Sequence, residues 1–125
     1  MECPACGEAL NEVKVQSIYL DTCAACRGIW FDSEELVEIL KVLMEDKTLT
    51  SRGPYQILTR EQAIAANRVP ERERSCPRCA KAMVKFNYAY DSNVVLDRCN
   101  HCRGIWADGG EVWAIVQFLR NIKGR

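Results

Sequence analysis

A small α+β unit, stapled by metal and written twice, is the fold class this sequence predicts, on three observations. The segment Cys23-Ala-Ala-Cys26-Arg27-Gly28-Ile29-Trp30-Phe31-Asp32-Ser33-Glu34-Glu35-Leu36 returns as Cys99-Asn-His-Cys102-Arg103-Gly104-Ile105-Trp106-Ala107-Asp108-Gly109-Gly110-Glu111-Val112. All eight cysteines fall into four Cys-x-x-Cys pairs, Cys3/Cys6 and Cys23/Cys26 in the first copy, Cys76/Cys79 and Cys99/Cys102 in the second. Each copy spans only roughly 50 residues, and below about 70 to 80 residues a core needs a disulfide, a metal or an oligomer to offset chain entropy. The chain divides on this reading into residues 1–46, a linker at 47–75 and residues 76–125.

In the first copy Gly7 follows Cys6, where a tight metal-binding turn favours a residue that tolerates positive φ. Val13, Val15, Ile18 and Leu20 alternate with polar neighbours and predict two short strands turning near Gln16-Ser17. After Trp30-Phe31, Asp32 is placed to cap a helix with Glu35 as its third residue. Leu36, Ile39, Leu40 and Leu43 recur at helical spacing, widened by Val37 and Met44, which predicts a helix over about residues 33–45. The linker carries Gly53-Pro54, then a short helix is expected from the capping-box pattern Thr59-Arg-Glu-Gln62 before Ala63-Ile-Ala-Ala66. Val69-Pro70 ends it, and the alternating charge of Glu71-Arg-Glu-Arg74 reads as solvated chain.

The second copy repeats the plan with a longer hairpin: residues 83–90, a polar turn at Asp91-Ser92-Asn93, then Val94-Val95-Leu96. Asp108 is expected to cap the last helix, whose face is Val112, Ile115, Val116, Leu119 and Ile122, with Trp113 and Phe118 beside it. So wide an apolar stripe predicts packing on the hairpins, on the other terminal helix or on a dimer mate.

Sixteen residues separate Cys6 from Cys23 and nineteen separate Cys79 from Cys99. Both gaps lie in the window for four-cysteine zinc sites. Two residues between ligands let one turn present both sulfurs to an ion, and a hairpin of this length returns the second turn to complete a tetrahedron. The expectation is therefore two zinc ribbons, each a β-hairpin with two Cys-x-x-Cys knuckles followed by an α-helix. One Zn2+ is assigned to Cys3, Cys6, Cys23 and Cys26, the other to Cys76, Cys79, Cys99 and Cys102. Four protein ligands leave no position for a reacting water, so the sites read as structural. Iron on the same thiolates, as in rubredoxin, is the secondary reading. A thiol redox switch that releases zinc is a third.

His101 lies between Cys99 and Cys102, but the tetrahedron is full without it and the first copy has Ala25 there. It is read as an exposed loop residue. Gly28 and Gly104 are expected to permit the exit from the second knuckle, Trp30 and Trp106 to cover the site and the start of the helix, and Arg27 and Arg103 to donate to sulfurs or carbonyls. Among the residues no nucleophile–base pair or phosphate loop stands out, which argues against an enzyme.

Formal charge is zero but lopsided: residues 1–46 carry 3 basic against 10 acidic residues, residues 47–75 carry 6 against 3, and residues 76–125 carry 8 against 4. Two Zn(Cys)4 sites would add about −2 each, which weighs against a generic nucleic-acid binder. The imbalance predicts docking of the acidic first copy on the basic second, within one chain or in a head-to-tail homodimer. The chain shows no charged, apolar leader and no apolar run near 18 residues, which predicts a cytoplasmic protein with no membrane span and reduced cysteines.

The pattern Cys-Pro-x-Cys, hairpin, Asp-x-Cys-x-x-Cys-x-Gly-Ile-Trp-x-Asp-x-x-Glu-Leu/Val, carried by Cys3 to Leu36 with Asp21 and by Cys76 to Val112 with Asp97, resembles the TFIIB-type zinc-finger domain of transcription factors. The resemblance implies a zinc ribbon followed by a helix, four cysteine ligands per ion, and, by analogy with an initiation-factor ribbon that docks on RNA polymerase, a link to transcription. The leading expectation is a zinc-stabilised, non-enzymatic regulatory module that binds a protein partner. The alternative is nucleic-acid binding through Arg68, Arg72, Arg74, Arg78, Lys81 and Lys85 around Tyr88 and Tyr90.

Overall fold

A computed structural model describes residues 1–15, 17–45, 73–88, 92 and 94–123 of the chain. In the first copy β1 (Asn11–Val15) and β2 (Ile18–Thr22) form the expected antiparallel hairpin, with Val13 opposite Leu20 and Val15 opposite Ile18. A third strand follows, β3 (Ile29–Phe31), and then α1 (Glu35–Glu45), which buries Leu36, Ile39, Leu40 and Leu43. The second copy repeats this order in β4 (Val84–Asn87), β5 (Val95–Arg98), β6 (Ile105–Ala107) and α2 (Glu111–Lys123). The short helix expected at 59–66 lies outside the described residues.

The two copies do not stand apart as beads on a string. β3 pairs antiparallel with β6, so one six-stranded sheet runs β1-β2-β3-β6-β5-β4 across the molecule. Trp30 sits directly opposite Trp106. Because residues facing each other in an antiparallel pair are exchanged by a rotation about the sheet normal, an approximate two-fold axis passes between these tryptophans. Equivalent side chains of the two copies therefore emerge from the same face. One row crosses all six strands: Glu12, Asp21, Trp30, Trp106, Asp97, Lys85.

Alternation along each strand gives the sheet two different faces. On one, Leu20, Ile29, Phe31, Leu96 and Ala107 meet the apolar stripes of both helices in a single core, and α1 touches α2. On the other, Trp30, Trp106 and Met83 pack among the cysteines of both copies. The helices are thus a roof on one side and the cysteine knuckles a floor on the other. The apolar width of α1 and α2 is mostly consumed inside this core, although Val37 and Ile122, expected on the buried faces, are 55% and 48% exposed.

Both helices start two residues later than side-chain capping by aspartate would place them. Glu35 N–H donates to the Asp32 carbonyl at 2.9 Å, and Glu111 N–H to the Asp108 carbonyl at 3.0 Å, closing a turn before each helix. The Glu35 carboxylate does reach back to the Asp32 N–H, at 2.8 Å, as half of a capping box. The aspartate carboxylates are engaged elsewhere, with consequences for the site.

Candidate metal centres

Each Cys-x-x-Cys pair closes the same small loop. The N–H of the residue after the second cysteine donates to the carbonyl of the first, in Gly7 to Cys3 at 2.9 Å, Arg27 to Cys23 at 2.8 Å, Ala80 to Cys76 at 2.9 Å and Arg103 to Cys99 at 2.7 Å. That residue is left-handed every time, with φ of 84°, 67°, 66° and 65° respectively. Backbone N–H groups inside the loops then point at sulfur: Ala5 and Cys6 donate to Cys3 Sγ, Cys26 to Cys23 Sγ and Arg78 to Cys76 Sγ at 3.4 Å, and Cys102 to Cys99 Sγ at 3.3 Å. Only one knuckle places glycine at the left-handed position. A Cβ on Gly7 meets no atom within 4 Å, so Gly7→Ala is a purely conformational change, expected to cost about 1 kcal/mol. Ala80→Gly should gain about 0.5 kcal/mol, since relief of backbone strain exceeds the added freedom of the unfolded chain. Urea unfolding of the two metal-loaded variants measures both.

The hairpins bring each predicted tetrad together, and within each the four sulfurs lie within 4.8 Å of one another. Cys6 and Cys23 sulfurs are 3.4 Å apart, Cys3 and Cys26 3.6 Å, Cys79 and Cys99 3.6 Å, and Cys76 and Cys102 3.9 Å. A tetrahedron with metal–sulfur bonds of about 2.3 Å has edges of about 3.8 Å, so the clusters are sized for such an ion. All eight cysteines are free thiols. The electrostatics point the same way: the Cys26 thiol and two knuckle N–H groups bring Cys3 down to about 5 against the effect of burial, while Cys26 is raised by its bond to Cys3. In the other cluster Cys99 comes down to about 7 although burial opposes it, helped by the N–H of Cys102 and the Cys79 thiol. Negative charge on one sulfur is thus supported while a second beside it is opposed. A divalent cation at the centre is what lets all four ionise.

The repeated Arg-Gly-Ile-Trp segment works differently from its sequence reading. The left-handed exit falls on Arg27 and Arg103, which are exposed; the glycines serve close approach. A Cβ on Gly28 would lie 2.1 Å from Cζ2 of Trp106, and one on Gly104 2.1 Å from Cζ2 of Trp30. Each tryptophan ring therefore lies against the second knuckle of the other copy. Each indole is tied down identically, Trp30 Nε1 donating to Asp32 Oδ1 and Trp106 Nε1 to Asp108 Oδ1, both at 3.0 Å. This is where the two aspartates expected to cap the helices spend their carboxylates.

Charged residues complete the seam. Arg78, on a knuckle of the second copy, forks onto both oxygens of Asp32 in the first, with Nη2 to Oδ2 at 2.6 Å. This ion pair joins the second copy to the first across the seam. The guanidinium holds Asp32 below the usual carboxylate range, so the bridge contributes above the unfolded carboxylate pKa and is lost as pH falls through the lower folded value. Arg74, read from sequence as solvated, has a fully buried side chain and spans Asp108 at 2.6 Å and Asp97 at 3.3 Å. Lys85 Nζ reaches Asp97 at 2.9 Å. Arg74, Arg78 and Lys85 of the proposed nucleic-acid cluster are therefore committed to carboxylates, and Arg68, Arg72 and Tyr90 lie outside the described residues. His101 is exposed beside Lys81, its Nδ1 3.4 Å from Nζ.

At the position of Lys85 the first copy has Glu12, directly across from Asp21. Burial, then the charges of Asp32 and Glu12, raise Asp21. Glu12→Lys is expected to stabilise by about 0.5 to 1 kcal/mol at neutral pH, turning a like-charge cross-strand pair into an opposite one. Raised Asp21 makes the wild type lose stability as pH climbs through its folded pKa, so the gain should fade on acidification. Thermal melts across that range check the sign.

Among the described residues no helix is long and apolar enough to cross a membrane. Compared with known proteins, residues 2–42 and 75–117 match the family described as Transcription factor zinc-finger, once per copy. Comparison with curated proteins and with solved structures gives no significant match.

Proposed function

This chain belongs to the transcription factor zinc-finger family, and from that premise we propose that it is a zinc-binding, non-enzymatic interaction module whose partner is a protein of the transcription machinery. The observation that carries the reading is the pair of four-thiol clusters, each filled by protein ligands and each backed by the same indole, aspartate and knuckle hydrogen bonds. Four thiolates around Zn2+ leave no open coordination position, so the metal's part is to hold the fold. What remains for function is surface. The commitment of Arg74, Arg78 and Lys85 to internal ion pairs supports a protein partner over a nucleic-acid backbone. Elemental analysis of fresh protein should give two zinc ions per chain; iron would defeat the metal assignment. Titration of the zinc-loaded chain against purified RNA polymerase core and against duplex DNA at low salt tests the partner. A saturable polymerase complex supports the reading, whereas salt-sensitive DNA binding alone overturns it.

A further inference from the structure

The repeat supplies an internal control for surface residues, because what the fold requires of one copy it requires of the other. Around its metal cluster the second copy carries charged and amide groups that the first does without. Thr22, Ala24 and Glu8 of the first copy are Arg98, Asn100 and Lys81 in the second, while Arg27 and Arg103 are shared. Thr22 is buried and donates to the Asn11 carbonyl at 3.3 Å. Arg98 and Asn100, in contrast, are exposed. The first copy folds on the same plan without them.

These extra groups converge. Arg98, Cys99, Asn100 and Arg103 line a cleft of about 390 Å³ beside the second cluster, with no carboxylate among them. The Arg98 guanidinium lies over the Phe86 ring, 5.1 Å from its centroid, and its Nε donates to Asn100 Oδ1 at 3.2 Å. Ring and amide hold the guanidinium in place, and the Asn100 NH2 is left to donate elsewhere. Among the described residues the terminal nitrogens of Arg98 and the whole Arg103 guanidinium have no hydrogen bond or ion pair. We propose that this cleft seats a carboxylate from an acidic segment of the protein partner, held between Arg98 and Arg103 with the Asn100 amide as a further donor. Such docking rests on the reading that the partner is a protein, and adds what that partner must carry. Charge favours a single carboxylate at this end of the molecule. Lys81, Arg98 and Arg103 set three positive charges against the about −2 of a Zn(Cys)4 centre, whereas Glu8, Thr22 and Arg27 sum to zero around the first. A monoanion is therefore drawn to the second copy and repelled by the first, and a phosphate dianion exceeds the surplus.

The test is titration of the full zinc-loaded chain with an acetylated, amidated hexaglutamate peptide, at about 0.05 M salt where exposed charges are weakly screened. Nuclear magnetic resonance of backbone N–H and arginine Nε–H groups reads the binding. Saturable shifts at Arg98, Asn100 and Arg103, with none at Arg27, are expected, and a hexaglutamine peptide should give none. Arg98→Thr, which installs the residue of the first copy, and Arg103→Gln should each weaken the peptide at least about threefold, and together at least about tenfold, on the scale of exposed ion pairs. Arg27→Gln should leave the affinity unchanged. Shifts spread equally over both copies, an affinity indifferent to the two cleft variants, or a cleft that responds to inorganic phosphate or a duplex oligonucleotide but not to the peptide would each overturn the proposal. A polymerase complex that forms equally well with the Arg98→Thr/Arg103→Gln chain would also overturn it while leaving the partner standing. Peptide binding at the cleft by a chain that polymerase core does not bind would support the cleft and defeat the choice of partner.

Discussion

Removing the metal from either cluster is expected to unfold the whole chain, not one half of it. A structural zinc contributes about 10 to 16 kcal/mol to the folding of a small zinc-finger peptide at neutral pH, and the net stability of a domain is only about 5 to 15 kcal/mol. Loss of one site therefore removes more than the fold holds in reserve. In a string of independent ribbons the damage would stop at the linker. Here β3 is paired to β6, and each tryptophan is seated on the other copy's knuckle. Cys99→Ala should accordingly abolish the native amide signal of Leu20, a buried residue in the first copy's hairpin, and chelation of the wild type should give one transition by far-ultraviolet circular dichroism and by tryptophan fluorescence. Acid should do the same as protons displace metal from thiolate. Two separated transitions, or a first copy that stays folded in Cys99→Ala, would show that the seam does not couple the copies.

Gly28→Ala should cost about 3 kcal/mol or more, an unusual penalty for adding one methyl group. The new Cβ would fall 2.1 Å from Cζ2 and 2.6 Å from Cη2 of Trp106. The ring has nowhere to go: Trp106 is fully buried, and swinging it breaks the bond to Asp108. Gly104→Ala should behave alike through Trp30. Shortening the ring relieves the clash, so Gly28→Ala combined with Trp106→Phe should be less destabilised than the sum of the two single changes, with a coupling energy above about 1 kcal/mol. Strict additivity would mean that the ring and the glycine do not meet.

Those two expectations mark what was legible in the sequence and what was not. The cysteine spacing sufficed for both tetrads because the chemistry is local: two turns and a hairpin of the right length converge on one point whatever surrounds them. The first hairpin and the buried stripe of α1 followed from period and propensity alone. β3 and β6 escaped notice because three consecutive buried residues, Ile29-Trp30-Phe31, carry no alternation, and the pairing partner is distant in the chain. A signal was present all the same. Gly-Ile-Trp-x-Asp recurs in both copies, and a glycine two residues before a tryptophan in each asks what large group needs the missing Cβ. Asp32 and Asp108 misled for a related reason: at a helix start an aspartate reads as a cap, and only the folded chain reveals that the indole two residues earlier claims its carboxylate. Arg74 looked solvated because it ends a run of alternating charge, yet its buried side chain bridges two carboxylates, of which Asp97 is itself buried.

The exchange of tryptophans across the seam also bears on how such a chain could arise. A single ribbon-plus-helix, with its third strand as an open edge and a glycine waiting for an indole, is half of a symmetric pair, and two identical halves satisfy each other without any linker. Duplication and fusion of that half turns an encounter between molecules into a fold within one. Once fused, the two halves are released from having to be identical. The seam residues recur in both copies while the outer surfaces differ, with Glu8 where the second copy has Lys81 and Glu12 where it has Lys85.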